Sequence, residues 1–428
     1  MLDTIVKLLK ESGVHAWELN DVKTEGWEFY FIRHELDQNR AKHVEHISVK
    51  VYQLIDDGKF MGSASAELPP TATEDEARRL IGDLAYRATL VKNRPYPLNP
   101  LTEAHRETLH SAPVDVSGIA RAFLETMQQL PETATEDINS YEIFVNAMTR
   151  RFLNSEGIDV EETYPDSMIE VVVNARDEKR EIELYRSFSS GTCDAAALKR
   201  DLLRAMQTGR DRLRALPTPP LGRADVLFTT ADACEIYSCF AQRLDAELIY
   251  RGISTWKAGE SICRAFAGDA PTLCAVRTLD NSSANRRYDA EGAPVRDVVM
   301  MENGVVRRNL GSRMFSSYLG LENSFIPTNF TVSGGKRSEQ ELRSGPYLEV
   351  VEFSDFQVDA VTGDLFGEIR LAYLHDGEKT VPVSGGSVSG NLLTLAENML
   401  LSKETVQHDN WSIPSATLLK GVTVTGIE

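Results

Sequence analysis

No apolar run in these 428 residues approaches the ~18 consecutive side chains that a membrane-spanning helix requires. No secretory leader is expected either. Asp3, Lys7, Lys10 and Glu11 interrupt Leu2, Ile5, Val6, Leu8 and Leu9, so the first residues read as an amphipathic helix, and the expected location is the cytoplasm. Positive charge is in deficit: 46 Lys and Arg face 64 Asp and Glu, a net charge of -18. Nucleic acid and anionic membrane repel such a surface unless a local basic patch overrides the total. The densest basic stretch is Lys199, Arg200, Arg204, Arg210, Arg212 and Arg214. Asp201 and Asp211 intersperse it on one long predicted helix, and it reads as a solvated face rather than a phosphate site. Cysteine is scarce. Cys193, Cys234, Cys239, Cys263 and Cys274 contain no C-x-x-C pair, which argues against a disulfide framework or zinc ribbon and leaves free, mostly buried thiols.

What is present is an ordinary globular composition on a chain too long for one core, so two or three domains are expected. Residues 15 to 68 read as strands. Ile47, Val49 and Val51 alternate with Ser48, Lys50 and Tyr52, Asp57-Gly58 forms a hairpin turn, and Pro69-Pro70 ends the sheet. Thr73 and Glu76 make a capping box for a helix to about Leu90, and another helix is expected near 117 to 130. Short β-rich runs follow at 143–145, 151–153, 169–173 and 181–185, and the basic helix of 194 to 214 closes this half. Pro217, Pro219, Pro220 and Gly222 mark the boundary. The expected organisation is an N-terminal mixed α/β domain over 1–216, a Pro-rich linker over 217–223, and a C-terminal domain over 224–428. After a strand and a helix near 231 to 244, that second domain is strands with Gly-containing turns, a largely antiparallel or barrel-like architecture. The class is α+β.

Tests for chemistry are mostly negative. Gly334-Gly335-Lys336 resembles the end of a phosphate-binding loop, but Arg337 replaces the required Ser or Thr. No G-x-G-x-x-G opens a helix, and Gly385 to Gly390 does not form a serine elbow. His43 and Glu45 face one way on a strand and His46 the other, so the three do not converge on a metal. His15, His34, His105, His110, His375 and His408 lack partners at ligand spacing. Cys234-Glu235-Ile236-Tyr237-Ser238-Cys239 places Cys, Glu and Cys at the spacing of a His-Glu-x-x-x-His metal motif, with Glu235 as a general base. Helical positions five apart diverge by about 140°. The two cysteines therefore read as small core residues beside Ile236, Tyr237 and Phe240, and no third ligand is evident.

Four groups of segments carry a resemblance. They are Arg151 to Ile158; Asp225 to Phe228 with Tyr250 to Ser254 and Gly259-Glu260; Tyr288 to Gly292 with Met301 to Val305 and Ser316 to Gly320; and Val358 to Leu365 with Ala372 to Glu378, Pro382-Val383 and Ser389 to Leu392. In order and number they resemble the TldD/PmbA family, metallopeptidase-related proteins also described as modulators of DNA gyrase, over roughly residues 140 to 428. The resemblance implies a division on one motif. TldD-type subunits carry His-Glu-x-x-x-His on the helix before the Arg-Gly segment, completed by a Cys near the C-terminal end. PmbA-type subunits, also called TldE, lack these ligands and pair with the first type. Here the corresponding helix has no histidine, and no cysteine follows Cys274. This chain therefore resembles the PmbA type. The resemblance implies no cofactor in this chain, zinc in a TldD-type partner, a heterodimer or homodimer, and a peptide substrate; the charge of -18 and the lack of a long apolar run argue against direct contact with nucleic acid or membrane. Two other readings stay open: a stand-alone metallopeptidase using Cys234, Glu235 and Cys239, and a non-enzymatic peptide-binding or gyrase-associated regulator.

Overall fold

The computed structural model describes residues 1–106 and 113–427, so His110 lies outside the described residues. The architecture is α+β. The first half is one six-stranded antiparallel sheet ordered β3-β2-β1-β4-β5-β6, with β1 (Ala16–Ile32), β2 (Glu35–Ile55), β3 (Phe60–Leu68), β4 (Glu136–Asn154), β5 (Asp159–Arg176) and β6 (Glu181–Ser190). The Asp56-Asp57-Gly58 turn, all at positive φ, joins β2 to β3 where the sequence places it. The predicted short runs at 143–145 and 151–153 prove to be one strand, β4. The polar residues between them do not break it, because Asn146 and Arg150 alternate onto a polar face of the sheet.

The opposite face is apolar and takes the helices. Against Leu19, Ile47, Val49 and Val51 pack α1 (Leu2–Glu11) and α2 (Glu74–Ala88). Thr73 and Glu76 form the expected reciprocal cap of α2. Against Ile143, Val145, Ile169 and Val171 pack α3 (Val116–Gln128) and α4 (Ala195–Arg214), capped by Asp115 and Asp194. With all four helices on one side, the polar side is left facing the second half.

That half opens with β7 (Leu216–Pro217), β8 (Gly222–Phe228), α5 (Ala233–Arg243) and α6 (Ala246–Tyr250). A six-stranded sheet follows from β9 (Thr272–Val276), β10 (Val298–Glu302), β11 (Val305–Val306) and β12 (Asn329–Ser333), with α7 (Arg313–Leu319) between the last two. After α8 (Glu339–Leu342) come β13 (Tyr347–Val358), β14 (Asp364–His375), β15 (Thr380–Ser384), β16 (Ser387–Asn391), α9 (Leu392–Leu395) and β17 (Leu400–Leu401). β18 (Thr405–His408) and β19 (Trp411–Pro414) complete the sheet of β9, and β20 (Thr417–Thr425) ends the chain. Strands β13, β8, β20, β16 and β14 pair in sequence, and β13 pairs again with β14, which closes a five-stranded barrel. Both new sheets are largely antiparallel, with parallel exceptions at β8–β13, β7–β15 and β12–β19. One apolar core spans this half and takes in the inner face of α5.

The 217–223 segment is packed rather than free. β7 runs parallel to β15, Thr218 is buried and exchanges backbone hydrogen bonds with Ser384 and Ile427, and Gly426 lies against Pro219 and Pro220. Gly335 sits so close to the carbonyls of Leu401 and Ser402 that a Cβ would meet them at 2.3 Å, so the Gly-Gly-Lys stretch serves close backbone packing. No described helix is long and apolar enough to cross a membrane.

Candidate functional site

A polar cleft of about 480 Å³ lies where the helix-free face of the first sheet meets the loop between β9 and β10. Alternation builds its floor. Glu18 and Asn20 on β1 stand opposite Lys50 and Ser48 on β2, and Asn20 stands opposite Phe152 on β4, all on one face. The second half supplies Arg286, Tyr288 to Glu291, and Thr328.

The loop is held by charged groups that bond its backbone. The buried carboxylate of Asp289 accepts from the N–H groups of Glu291 (2.9 Å), Ala293 (2.8 Å) and Ile326 (2.7 Å), knotting the loop around itself. Arg150 rises from β4 to meet it. Its Nε donates to Asn20 Oδ1 (2.7 Å), and its Nη1 and Nη2 donate to the carbonyls of Asp289 (2.8 Å) and Ala290 (2.9 Å). Glu162 on β5 accepts from the Arg287 N–H at 2.9 Å. Thr102 N–H donates to His105 Nδ1 (2.9 Å), leaving Nε2–H to donate to Gly292 O (2.8 Å). Gly292 has φ +76° and abuts the Phe152 ring, where a Cβ would come within 2.5 Å. Only glycine fits there.

Electrostatically the cleft interleaves acids and bases. Burial pushes the Glu291 carboxyl up to about 7, against the Arg313 N–H that it accepts at 2.6 Å; nearby Asp289 and Glu18 push the same way. Burial raises Glu162 and Asp166 as well, and lowers Arg150. The Arg286 guanidinium lies 3.3 Å from the centroid of the Tyr164 ring. Glu18 accepts from Tyr52 Oη (2.7 Å) and lies 3.6 Å from Lys50 Nζ. Such a surface can hold an extended polar chain through its amides. No Ser or Cys lines it, apart from Ser48 and Ser65, and neither of these has a hydrogen bond to a base among the described residues.

The residues singled out in the sequence lie elsewhere. Cys234, Glu235 and Cys239 sit on α5. Cys239 is buried in the apolar core, Cys234 is half-buried against it, and Glu235 is exposed. Burial pushes the Cys234 thiol up to about 12 and that of Cys239 up to about 11, so both stay protonated at neutral pH. Tyr237 between them anchors the helix through Thr417 Oγ1 at 2.6 Å. A zinc ion needs thiolates on one side of the helix; this donor set does not fit it, and no three His, Cys, Asp or Glu side chains converge among the described residues. His43 faces Glu25 at 3.4 Å, Glu45 faces Lys23 and His46 faces Glu67, the divergence that strand alternation predicts. Arg150, Glu162, Arg286 and Glu291 were not anticipated as site residues. The available signal was the even-numbered polar positions of β1 and β4, together with Tyr288 to Gly292.

Barrel, flanking sheet and helix-backed first sheet together make one α+β scaffold. Residues 221–426 match the PmbA/TldA metallopeptidase C-terminal domain, so the second half of the chain carries a domain of the TldD/PmbA family. Two solved structures share the whole fold. TldE from Thermococcus kodakarensis superposes with a TM-score of 0.76 at 15% identity, covering 99% of this chain and 100% of that one. A Thermotoga maritima protein described as a candidate modulator of a DNA gyrase gives 0.77 at 16% identity, with 99% of each chain covered. In sequence, a protein of Methanothermobacter thermautotrophicus described as a metalloprotease is 29% identical over 273 residues, 58% of each chain. An uncharacterized protein of Methanocaldococcus jannaschii is 23% identical over 283 residues, 62% of this chain and 64% of that one. The matched stretch thus spans about three-fifths of each curated relative.

Proposed function

We propose that this chain is the non-catalytic subunit of a heteromeric TldD-type zinc metalloprotease and holds unfolded or modified peptide while a partner chain supplies the metal. The observation that carries this reading is the state of α5. At the helix where the family resemblance places His-Glu-x-x-x-His, this chain offers two protonated, core-facing thiols and an exposed glutamate. Water activation requires three converging ligands and a base. Peptide holding does not. An extended chain is recognised through backbone groups with few particular side chains, and the polar cleft beside the long strands of the first sheet is built for such contacts.

The test is reconstitution. The purified chain, a TldD-type protein bearing the zinc motif, and their mixture are each given an unfolded peptide library. Cleavage by a stable mixed complex, with none by this chain alone, supports the proposal. Metal-dependent cleavage by this chain alone rejects it, and a homodimer that ignores the zinc-bearing protein rejects the heteromeric part.

A further inference from the structure

One wall of the polar cleft carries hydrogen-bond donors that meet no acceptor. Arg286 is half-buried there, in the turn that precedes the cleft loop. Its guanidinium lies over the Tyr164 ring of β5, 3.3 Å from the centroid. Nη1 donates to the carbonyls of Ser283 (2.9 Å) and Asn285 (2.8 Å), which occupies both of its hydrogens. The remaining edge, Nε and Nη2, makes no hydrogen bond or ion pair among the described residues.

The turn is fixed from two sides. Asp409 accepts from the Ser283 N–H (2.7 Å) and Ser283 Oγ (2.6 Å). The buried Asn329 donates to the Ala284 carbonyl (3.2 Å) and Asn285 Oδ1 (3.1 Å) and accepts from Ser282 Oγ at 2.7 Å. These bonds hold the start of β12 against the turn, so Thr328 lines the same cleft as Arg286. The Thr328 hydroxyl is buried and has no partner among the described residues. The neighbouring acids do not fill the gap. Glu162 is committed to the Arg287 N–H at 2.9 Å, and burial holds its carboxyl and that of Asp166 up toward the neutral form. The Nε and Nη2 hydrogens of a guanidinium form a parallel fork that matches the two oxygens of a carboxylate. Here the fork is held by a ring against its face and by backbone on its far edge, which removes much of the side-chain entropy that such a contact costs. One free edge beside acids suits a single negative charge.

We propose that the cleft binds the free C-terminal carboxylate of a peptide, with the Nε–Nη2 edge of Arg286 as its direct donor and Tyr164 as the positioning residue beneath. This rests on the peptide-holding role proposed above and narrows it. The chain lies along the polar floor of the first sheet and ends at Arg286, so peptides with a free carboxyl end are held in preference to internal segments.

The experiment is fluorescence anisotropy of the full chain with one unfolded peptide that lacks Asp and Glu, labelled at its N-terminus and ending in either a free carboxylate or an amide. Ionic strength is matched and the pH is near neutral. The free acid binds about tenfold or more tightly than the amide. In Arg286→Gln the ratio of the two affinities falls to about one; a merely structural arginine would change both affinities together and leave their ratio in place. Should Arg286→Gln lose its fold by circular dichroism, Tyr164→Leu keeps the guanidinium but removes the ring that orients it, and the ratio falls there too. Equal affinities for acid and amide in the wild type, or a preference undiminished by either substitution, overturns the proposal and leaves peptide holding intact. Binding of neither peptide overturns both.

Discussion

Arg150 joins the first sheet to the cleft loop, because two of its donor groups meet the carbonyls of Asp289 and Ala290 on that loop while the third holds Asn20 on β1. Removing it leaves those acceptors unsatisfied. Arg150→Ala should destabilise the chain by about 2–4 kcal/mol in urea unfolding, and Arg150→Lys should recover only part, since an ammonium cannot reproduce the fork. Glu291 makes a prediction of the opposite sign. Its unfolded value is 4.5 and its folded value about 7, so between those limits the folded chain binds more protons than the unfolded, and the stability this group contributes falls as pH rises. Glu291→Gln keeps an oxygen for the Arg313 N–H. It should therefore gain stability relative to wild type between about pH 5 and pH 8; a difference that does not change with pH contradicts the assignment. At this scale the sequence was least legible. Cys234, Glu235 and Cys239 drew attention through their motif-like spacing, while the divergence of positions five apart already pointed the cysteines to the core. Arg150 and Glu162 are 12 positions apart and become neighbours only through the β4–β5 register.

Elements were far more legible than residues. The caps of α2, α3 and α4 are encoded locally, by side chains that bond within a few positions of themselves, and the β2–β3 turn by the positive φ of Asp56-Asp57-Gly58. The strands of the first sheet were recognised but cut short, because a polar residue on the cleft face looks like a strand end when the cleft is unknown. The turn before β10 shows what local sequence can specify. Glu291-Gly292 reads as an ordinary turn, but Gly292 is also constrained from outside by Phe152. Gly292→Ala should cost more than about 1 kcal/mol, from the positive φ alone. The clash with Phe152 adds to this, and the companion Phe152→Ala background should relieve part of that loss if ring contact is the cause.

At the scale of the whole molecule the closure of the barrel could not be read from sequence. The β13–β14 hairpin carries a local turn at Thr362-Gly363-Asp364, but closure also needs β13 to pair with β8, more than 100 residues earlier, and no turn signal encodes that. The same holds for the crossing between halves. Its prolines mark a boundary, and there Thr218 is buried between β15 and the last residues of the chain. Native trypsin digestion should therefore leave the 217–223 crossing uncut at Arg223, which lies within the β8 ladder; early release of two halves divided there contradicts the packing described.

The proposed role rests on metal bound by a partner and not by α5, and the most direct measurement is zinc content in the assembled complex. The chain, as wild type and as Cys234→Ser/Cys239→Ser, is combined with a zinc-bearing TldD-type subunit, and zinc per complex and peptide cleavage are determined together. Both quantities should be unchanged by the double substitution, with zinc matching the number of TldD-type chains. Loss of zinc from the complex, or of cleavage with it, in the serine variant would contradict the account and place the metal on this chain.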